Sequence, residues 1–302
     1  MAYRNNMKLG WMGPNYLPPA DITDDVEKLL WQMRRAKELG CVVLQPVIRG
    51  VPEDDASVER LKEGLLENGI EYEMGCPLAV FNLAGPDAKA AREELIARIK
   101  FVQKLGVKIL RTGYNTVLKY EYSRYNTTPG MTGREQLERV IASLKQAAPI
   151  FEEYGMFFAQ ENHLDFTGEE MAHIFEEVNS PNMGIALDTA NNFGVFRDPD
   201  ADNLLMAPWA ITTHIKDAKI VQKTQEGRYY PLIPVGTVLG EGIIDIPGIV
   251  DALATQVRYP EGFHMILEQG FWGNQITGDA YAFEHEAMEK SLEYLKKLIT
   301  VN

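Results

Sequence analysis

Cysteine is almost absent from this sequence: only Cys41 and Cys76 occur in 302 residues, and neither belongs to a Cys-x-x-Cys or Cys/His pattern. Their scarcity excludes a disulfide framework and suits a reducing compartment. Positive charge is also short, with 30 Lys and Arg against 43 Asp and Glu and a formal net charge of -13. No basic run interrupts that acidic background, so neither nucleic acid nor an anionic membrane is expected as a partner. Apolar runs long enough to span a bilayer are missing. Residues 1–8 are polar where an export signal would carry an apolar stretch, so a cytoplasmic protein is expected.

What is present is a rhythm. Short apolar runs at 8–12, 42–47, 71–75, 108–112, 156–161, 184–188, 212–215 and 264–268 alternate with amphipathic stretches at 25–39, 57–68, 87–105, 134–154, 168–178, 246–254 and 281–299. Several amphipathic stretches end in a turn glycine just before the next run, as at Gly40, Gly69, Gly106 and Gly155. Helix, glycine, strand is the joint of a parallel sheet. Eight such units without a polar linker or composition shift predict an α/β fold, one (β/α)8 TIM barrel over residues 1–302. Two long loops, 114–133 and 219–242, follow strands and so fall on the face where barrels keep their active sites.

The ends of the last four strands each supply a hard or borderline metal ligand: Glu161, Asp188, His214 and Glu268. A single strand-end carboxylate often caps a helix, and a single histidine is often a satisfied core residue. Four on consecutive strands converge on one barrel mouth. Three carboxylates gathered there would repel one another unless a cation neutralised them. One imidazole and three carboxylates suit one divalent ion, Mn²⁺ first, with Mg²⁺, Co²⁺ or Fe²⁺ as alternatives.

The strings Glu161-Asn162-His163, Leu187-Asp188-Thr189, His214-Ile215-Lys216-Asp217 and Leu267-Glu268, with the turn Gly240-Glu241-Gly242, resemble the xylose-isomerase-like barrel superfamily of sugar isomerases and epimerases across nearly the whole chain. The resemblance implies that Glu161, Asp188, His214 and Glu268 bind the metal, and that Glu161 and Glu268 form a catalytic acid/base pair. An ion that chelates a ketone oxygen and the neighbouring hydroxyl acidifies the carbon between them. A carboxylate on each face can then remove and return the proton. The chain departs from the ketose 3-epimerase branch in two places. It has no Arg shortly after His214, and Asn191 stands where that branch has a His.

Other groups expected to contact substrate are Asn162, His163, Asn191, Lys216, Arg111, Tyr114 and Trp11. Lys216 could stabilise an oxyanion or pair with Asp217, and Trp11 could stack on a sugar or pack in the core. His173 and His285 lie in helical patterns and His264 opens the eighth strand at the opposite end, so none of these joins the site. The leading expectation is an isomerase or epimerase of a keto-sugar, working as a homo-oligomer. Its rival is a lyase using the same enolate: an inosose dehydratase, or a C-glycoside deglycosidase subunit in a hetero-oligomer acting on 3-oxo glycosides. A non-catalytic sugar-binding subunit is a further alternative. A DNA-repair endonuclease with a metal cluster is disfavoured by five histidines and the net charge of -13.

Overall fold

The elements begin and end where the side chains can satisfy them. A computed structural model describes residues 2–46, 50–114, 132–222, 232–271, 276 and 278–301. Asp24 and Asp54 accept from the backbone of Glu27 and Ser57 to open α1 (Asp25–Leu39) and α2 (Asp55–Asn68). Thr132 and Thr167 form reciprocal capping boxes with Glu135 and Glu170 at the starts of α4 (Gly133–Glu153) and α5 (Gly168–Val178). Gly40, Gly69, Gly106 and Gly155 all take positive φ, so the expected helix-glycine-strand joints are present.

Between the helices lie β1 (Lys8–Met12), β2 (Val43–Gln45), β3 (Glu71–Tyr72), β4 (Met74–Gly75), β5 (Ile109–Gly113), β6 (Phe157–Glu161), β7 (Met183–Asp188) and β8 (Ala210–His214). The final parallel strand is β11 (His264–Leu267), and the order β3-β2-β1-β11-β8-β7-β6-β5-β4 runs parallel throughout. Because β3 and β4 flank the single residue Glu73, the two ends of that order are halves of one interrupted strand, and the sheet closes as an eight-position barrel. The remaining helices, α3 (Ala88–Gln103), α6 (Pro199–Met206), α7 (Ile246–Gln256) and α8 (Ala280–Ile299), complete the outer ring. One continuous apolar core runs from Met7 to Ile299. No described helix is long and apolar enough to cross a membrane.

Two features depart from the expected pattern. The segment expected as a loop over 219–242 contains β9 (Asp217–Gln222) and β10 (Leu232–Thr237), an antiparallel hairpin. Residues 223–231 of that segment, and 115–131 of the earlier loop, lie outside the described residues. Helix α6 was not anticipated. Its leucines, Leu204 and Leu205, face solvent, whereas Asp202 and Asn203 are buried. Asp202 accepts from Gly168 N and Arg197, and Asn203 donates to the Thr189 carbonyl, so this helix docks through these polar groups together with the buried Pro199 and Met206.

Candidate metal centre

Glu161, Asp188 and His214 are the last residues of β6, β7 and β8, and Glu268 directly follows β11. Parallel register places Asp188 beside His214, and the Glu268 amide donates to the Ile215 carbonyl at 3.0 Å. The four side chains therefore converge, with one ligand atom from each inside a group whose members all lie within 4.8 Å of one another. His214 Nδ1 lies 2.9 Å from Glu268 Oε2, 3.4 Å from Glu161 Oε1 and 4.0 Å from Asp188 Oδ2.

Each ligand is held from behind. Asp188 Oδ1 accepts the amides of Ala190 and Asn191, which turns Oδ2 toward the centre. Glu161 Oε2 accepts from Arg111 Nη1 at 3.3 Å, and Oε1 accepts from Asn191 Nδ2 at 3.2 Å. Asp188 Oδ2, His214 Nδ1 and Glu268 Oε2 are buried without a hydrogen bond of good geometry. Buried ligand atoms from three carboxylates and one imidazole converging on one point are the chemistry of a divalent-cation site. The residues present fit such an ion.

Burial would raise the Glu161 carboxyl, but the charge of His214 and the Arg111 guanidinium hold it down at about 2. Glu268, half-buried, is lifted by desolvation but held well below its usual range by Lys216 and His214. Asp188 goes the other way: burial lifts it to about 6, with Lys216 opposing and Glu268 and Glu161 reinforcing the rise. His214 is pushed down by burial and raised more strongly by Glu161 and Glu268, reaching about 9.

The other sequence candidates fall into two groups. Lys216, Arg111 and Asn191 stand at the centre. Lys216 Nζ lies 2.7 Å from Asp188 Oδ2 and 3.4 Å from Glu268 Oε2, so its partners are these ligands rather than Asp217. His163 is half-buried, and burial followed by the neighbouring Lys216 and His214 charges lowers its pKa, favouring the neutral ring. Asn162 is committed elsewhere than to substrate: its amide donates to the Asp188 carbonyl and accepts the Asp188 N–H, so both ends brace a ligand. Trp11 is wholly buried and stacked on Tyr16, and Tyr114 packs against Phe81 and Phe166, so both rings serve aromatic packing. His285, kept out of the site, is half-buried on the Tyr16 ring.

Beside the ligands opens a cavity of about 370 Å³ lined by Leu164, Asn191, Phe193, Lys216, Pro234 and Glu268 among others, a volume suited to a small ligand. The hairpin β9/β10 forms one wall. Asp217 accepts four amides, from Ala218, Gly240, Gly242 and Ile244, which ties the Gly240-Glu241-Gly242 turn to the foot of the hairpin. At Gly236, a Cβ would come within 1.8 Å of the Gly270 carbonyl oxygen, so only glycine allows that wall to approach β11 so closely.

A buried polar chain that sequence reading missed runs from the centre into the barrel. His214 Nε2 lies 2.7 Å from Gln45 Oε1, and Gln45 Nε2 donates to Glu73 Oε2 at 2.7 Å. Glu73 Oε1 accepts from Thr212 Oγ1 at 2.7 Å and from His264 Nδ1 at 2.5 Å. The available signals were a lone polar residue within the apolar run at position 45 and a second carboxylate, two residues after Glu71, at position 73.

The model of the xylose isomerase-like TIM barrel family matches residues 33–298, and the chain belongs to that family. A curated relative, the 3-oxo-isoapionate decarboxylase of Pectobacterium atrosepticum, is 23% identical over 241 residues, 80% of this chain and 76% of the relative. Among solved structures, a xylose isomerase-like TIM barrel protein from Mycobacterium smegmatis in complex with magnesium matches with a TM-score of 0.67 at 15% identity, covering 99% of this chain and 100% of the other. The D-psicose 3-epimerase of Clostridium cellulolyticum H10, solved with D-tagatose, matches with a TM-score of 0.67 at 18% identity over 98% and 100% of the two chains. At these identities the structural likenesses establish the fold.

Proposed function

We propose that this protein is a divalent-metal-dependent isomerase or epimerase of a keto-sugar or related polyol ketone. The observation that carries the reading is the convergence of Glu161, Asp188, His214 and Glu268 within 4.8 Å, with one ligand atom of each aimed at one point beside a cavity of about 370 Å³. An ion held there by Glu161, Asp188, His214 and Glu268 would supply the positive charge needed where a carbon beside a ketone loses its proton. Glu161 and Glu268 both stay ionised at neutral pH and are the groups that take up and return that proton. Arg111 and Asn191 orient the Glu161 carboxylate through its two oxygens. Lys216, on the cavity wall, is placed to meet an anionic oxygen of the substrate.

A second reading has specific support. The relative from Pectobacterium atrosepticum is a decarboxylase of a 3-oxo sugar acid, and the cavity carries the cationic Lys216 where a substrate carboxylate would need a partner. In that reaction the bond to the carboxylate carbon breaks, carbon dioxide leaves, the bonding electron pair enters the same enediolate, and a proton drawn from solvent through Glu161 or Glu268 ends on the carbon. A Mn²⁺-loaded sample incubated in D2O with ketoses, inososes, 3-oxo glycosides and 3-oxo sugar acids separates the readings. Epimerisation or isomerisation conserves every carbon, and proton transfer through solvent labels one of them with deuterium. Release of carbon dioxide, water or an aglycone identifies a lyase. Inertness toward the whole panel with metal bound contradicts both.

A further inference from the structure

The polar chain inside the barrel bears on the metal centre, and the following rests on the metal-dependent reading above. Gln45 Oε1 lies 3.0 Å from Arg111 Nε and 2.7 Å from His214 Nε2, while Gln45 Nε2 lies 2.7 Å from Glu73 Oε2. A guanidinium only donates and an ionised carboxylate only accepts, so the amide orientation is set independently from both ends. Its oxygen must face Arg111 and His214, and its nitrogen must face Glu73. That oxygen can only accept, so His214 carries a proton on Nε2. In the neutral ring the lone pair is then left on Nδ1, the nitrogen that faces Glu161, Asp188 and Glu268.

We propose that Gln45 is a positioning residue that fixes the tautomer and ring plane of His214 for metal ligation, clamped in its own orientation by Glu73 and Arg111. Glu73 can serve because the interruption between β3 and β4 holds it wholly inside the barrel, where His264 and Thr212 fix its other oxygen. Outer partners of this kind tune how tightly a histidine ligand holds its ion.

The test is Mn²⁺ affinity by titration calorimetry on metal-stripped full-length protein, with circular dichroism to check folding. Gln45→Met keeps the volume and removes the acceptor, and it weakens Mn²⁺ binding about tenfold to a hundredfold. The exchange variant Gln45→Glu/Glu73→Gln restores wild-type affinity, because a carboxylate at 45 accepts from His214 and Arg111 while an amide at 73 donates to it. Unchanged affinity in folded Gln45→Met overturns the proposal, as does an exchange variant no tighter than Gln45→Met. Should Gln45→Met not fold, proton-coupled nitrogen-15 spectra of histidine-labelled wild type loaded with Zn²⁺ decide the matter: a proton on His214 Nε2 upholds the proposal and one on Nδ1 overturns it. Wild-type protein that binds no Mn²⁺ overturns the metal centre itself, a failure seen before any variant is compared.

Discussion

Lys216 Nζ lies 2.7 Å from Asp188 Oδ2, so an ammonium stands against the same carboxylates that frame the metal position. It supplies part of the positive charge that burial of three acids demands. The two cations compete for Asp188. Lys216→Met is therefore expected to tighten Mn²⁺ binding while lowering the stability of the metal-stripped protein by about 3 kcal/mol, the cost of breaking one buried pair. Calorimetry and urea unfolding of the same sample check both signs. Weaker Mn²⁺ binding in the variant would show that Lys216 supports the ligands instead of competing with the ion.

Metal itself should stabilise the fold, because the four ligands are adjacent only in the closed barrel. At a Mn²⁺ concentration 100 times the dissociation constant the gain is about 2.7 kcal/mol. Thermal scans with and without the ion, after exhaustive chelation, measure it. An unshifted midpoint at saturating Mn²⁺ contradicts the centre.

Glu161→Gln and Glu268→Gln should each lose turnover by about 10²-fold or more, the range for a positioned acid or base, while retaining substrate binding. An amide keeps the size and one oxygen but neither accepts nor delivers the proton. Where proton transfer is two-sided, one variant still exchanges the substrate's acidic proton with D2O without forming product. Turnover near wild type in both, with metal retained, removes the assigned roles.

His264 gives stability a defined pH window. Burial lowers its pKa, but the Glu71 carboxylate 3.6 Å away and the hydrogen bond to Glu73 raise it from 6.5 to about 9. Because the folded value is the higher one, the stabilisation is fully present below pH 6.5 and is lost as pH rises through about 9. His264→Gln should cost about 3 kcal/mol at pH 6 and much less at pH 10, the worth of such a shift. Urea unfolding of wild type and variant across that range provides the difference curve. A flat difference would mean that His264 is not charged in the folded protein.

The strands bearing the ligands were legible because an ionisable residue stands at or just past the end of each, as Asp188 does after the apolar run Met183–Leu187. Barrel closure then brings their ends together with no further information. Helix α6 was illegible for the opposite reason: the middle of its buried face is Asp202 and Asn203, between Pro199 and Met206, and period-based reading looks for apolar stripes. Pro234 within β10 masked the hairpin in the same way, since proline argues against a strand except at an edge.

Gln45 and Glu73 were hidden by distance along the chain. Gln45 bonds His214, 169 residues away, and Glu73 bonds Thr212, 139 residues away. A lone polar residue in a strand reads as a solvent-facing position until the partner strand is known. Asn162 was legible as a member of the site but not in its role, because only the geometry shows both amide ends spent on Asp188.

Asp217 joins the two feet of the β9/β10 hairpin to the turn behind it: it pairs with Thr237 in register and accepts the amides of Gly240 and Gly242. The described strands between those feet are thereby a cassette, closed at one carboxylate and set beside the ligands without contributing any of the four. A barrel organised this way can exchange the cassette for one of different length or chemistry and keep its metal centre intact. Grafting hairpins at Asp217 and Thr237 is accordingly the natural route for redesigning which molecules reach the ion.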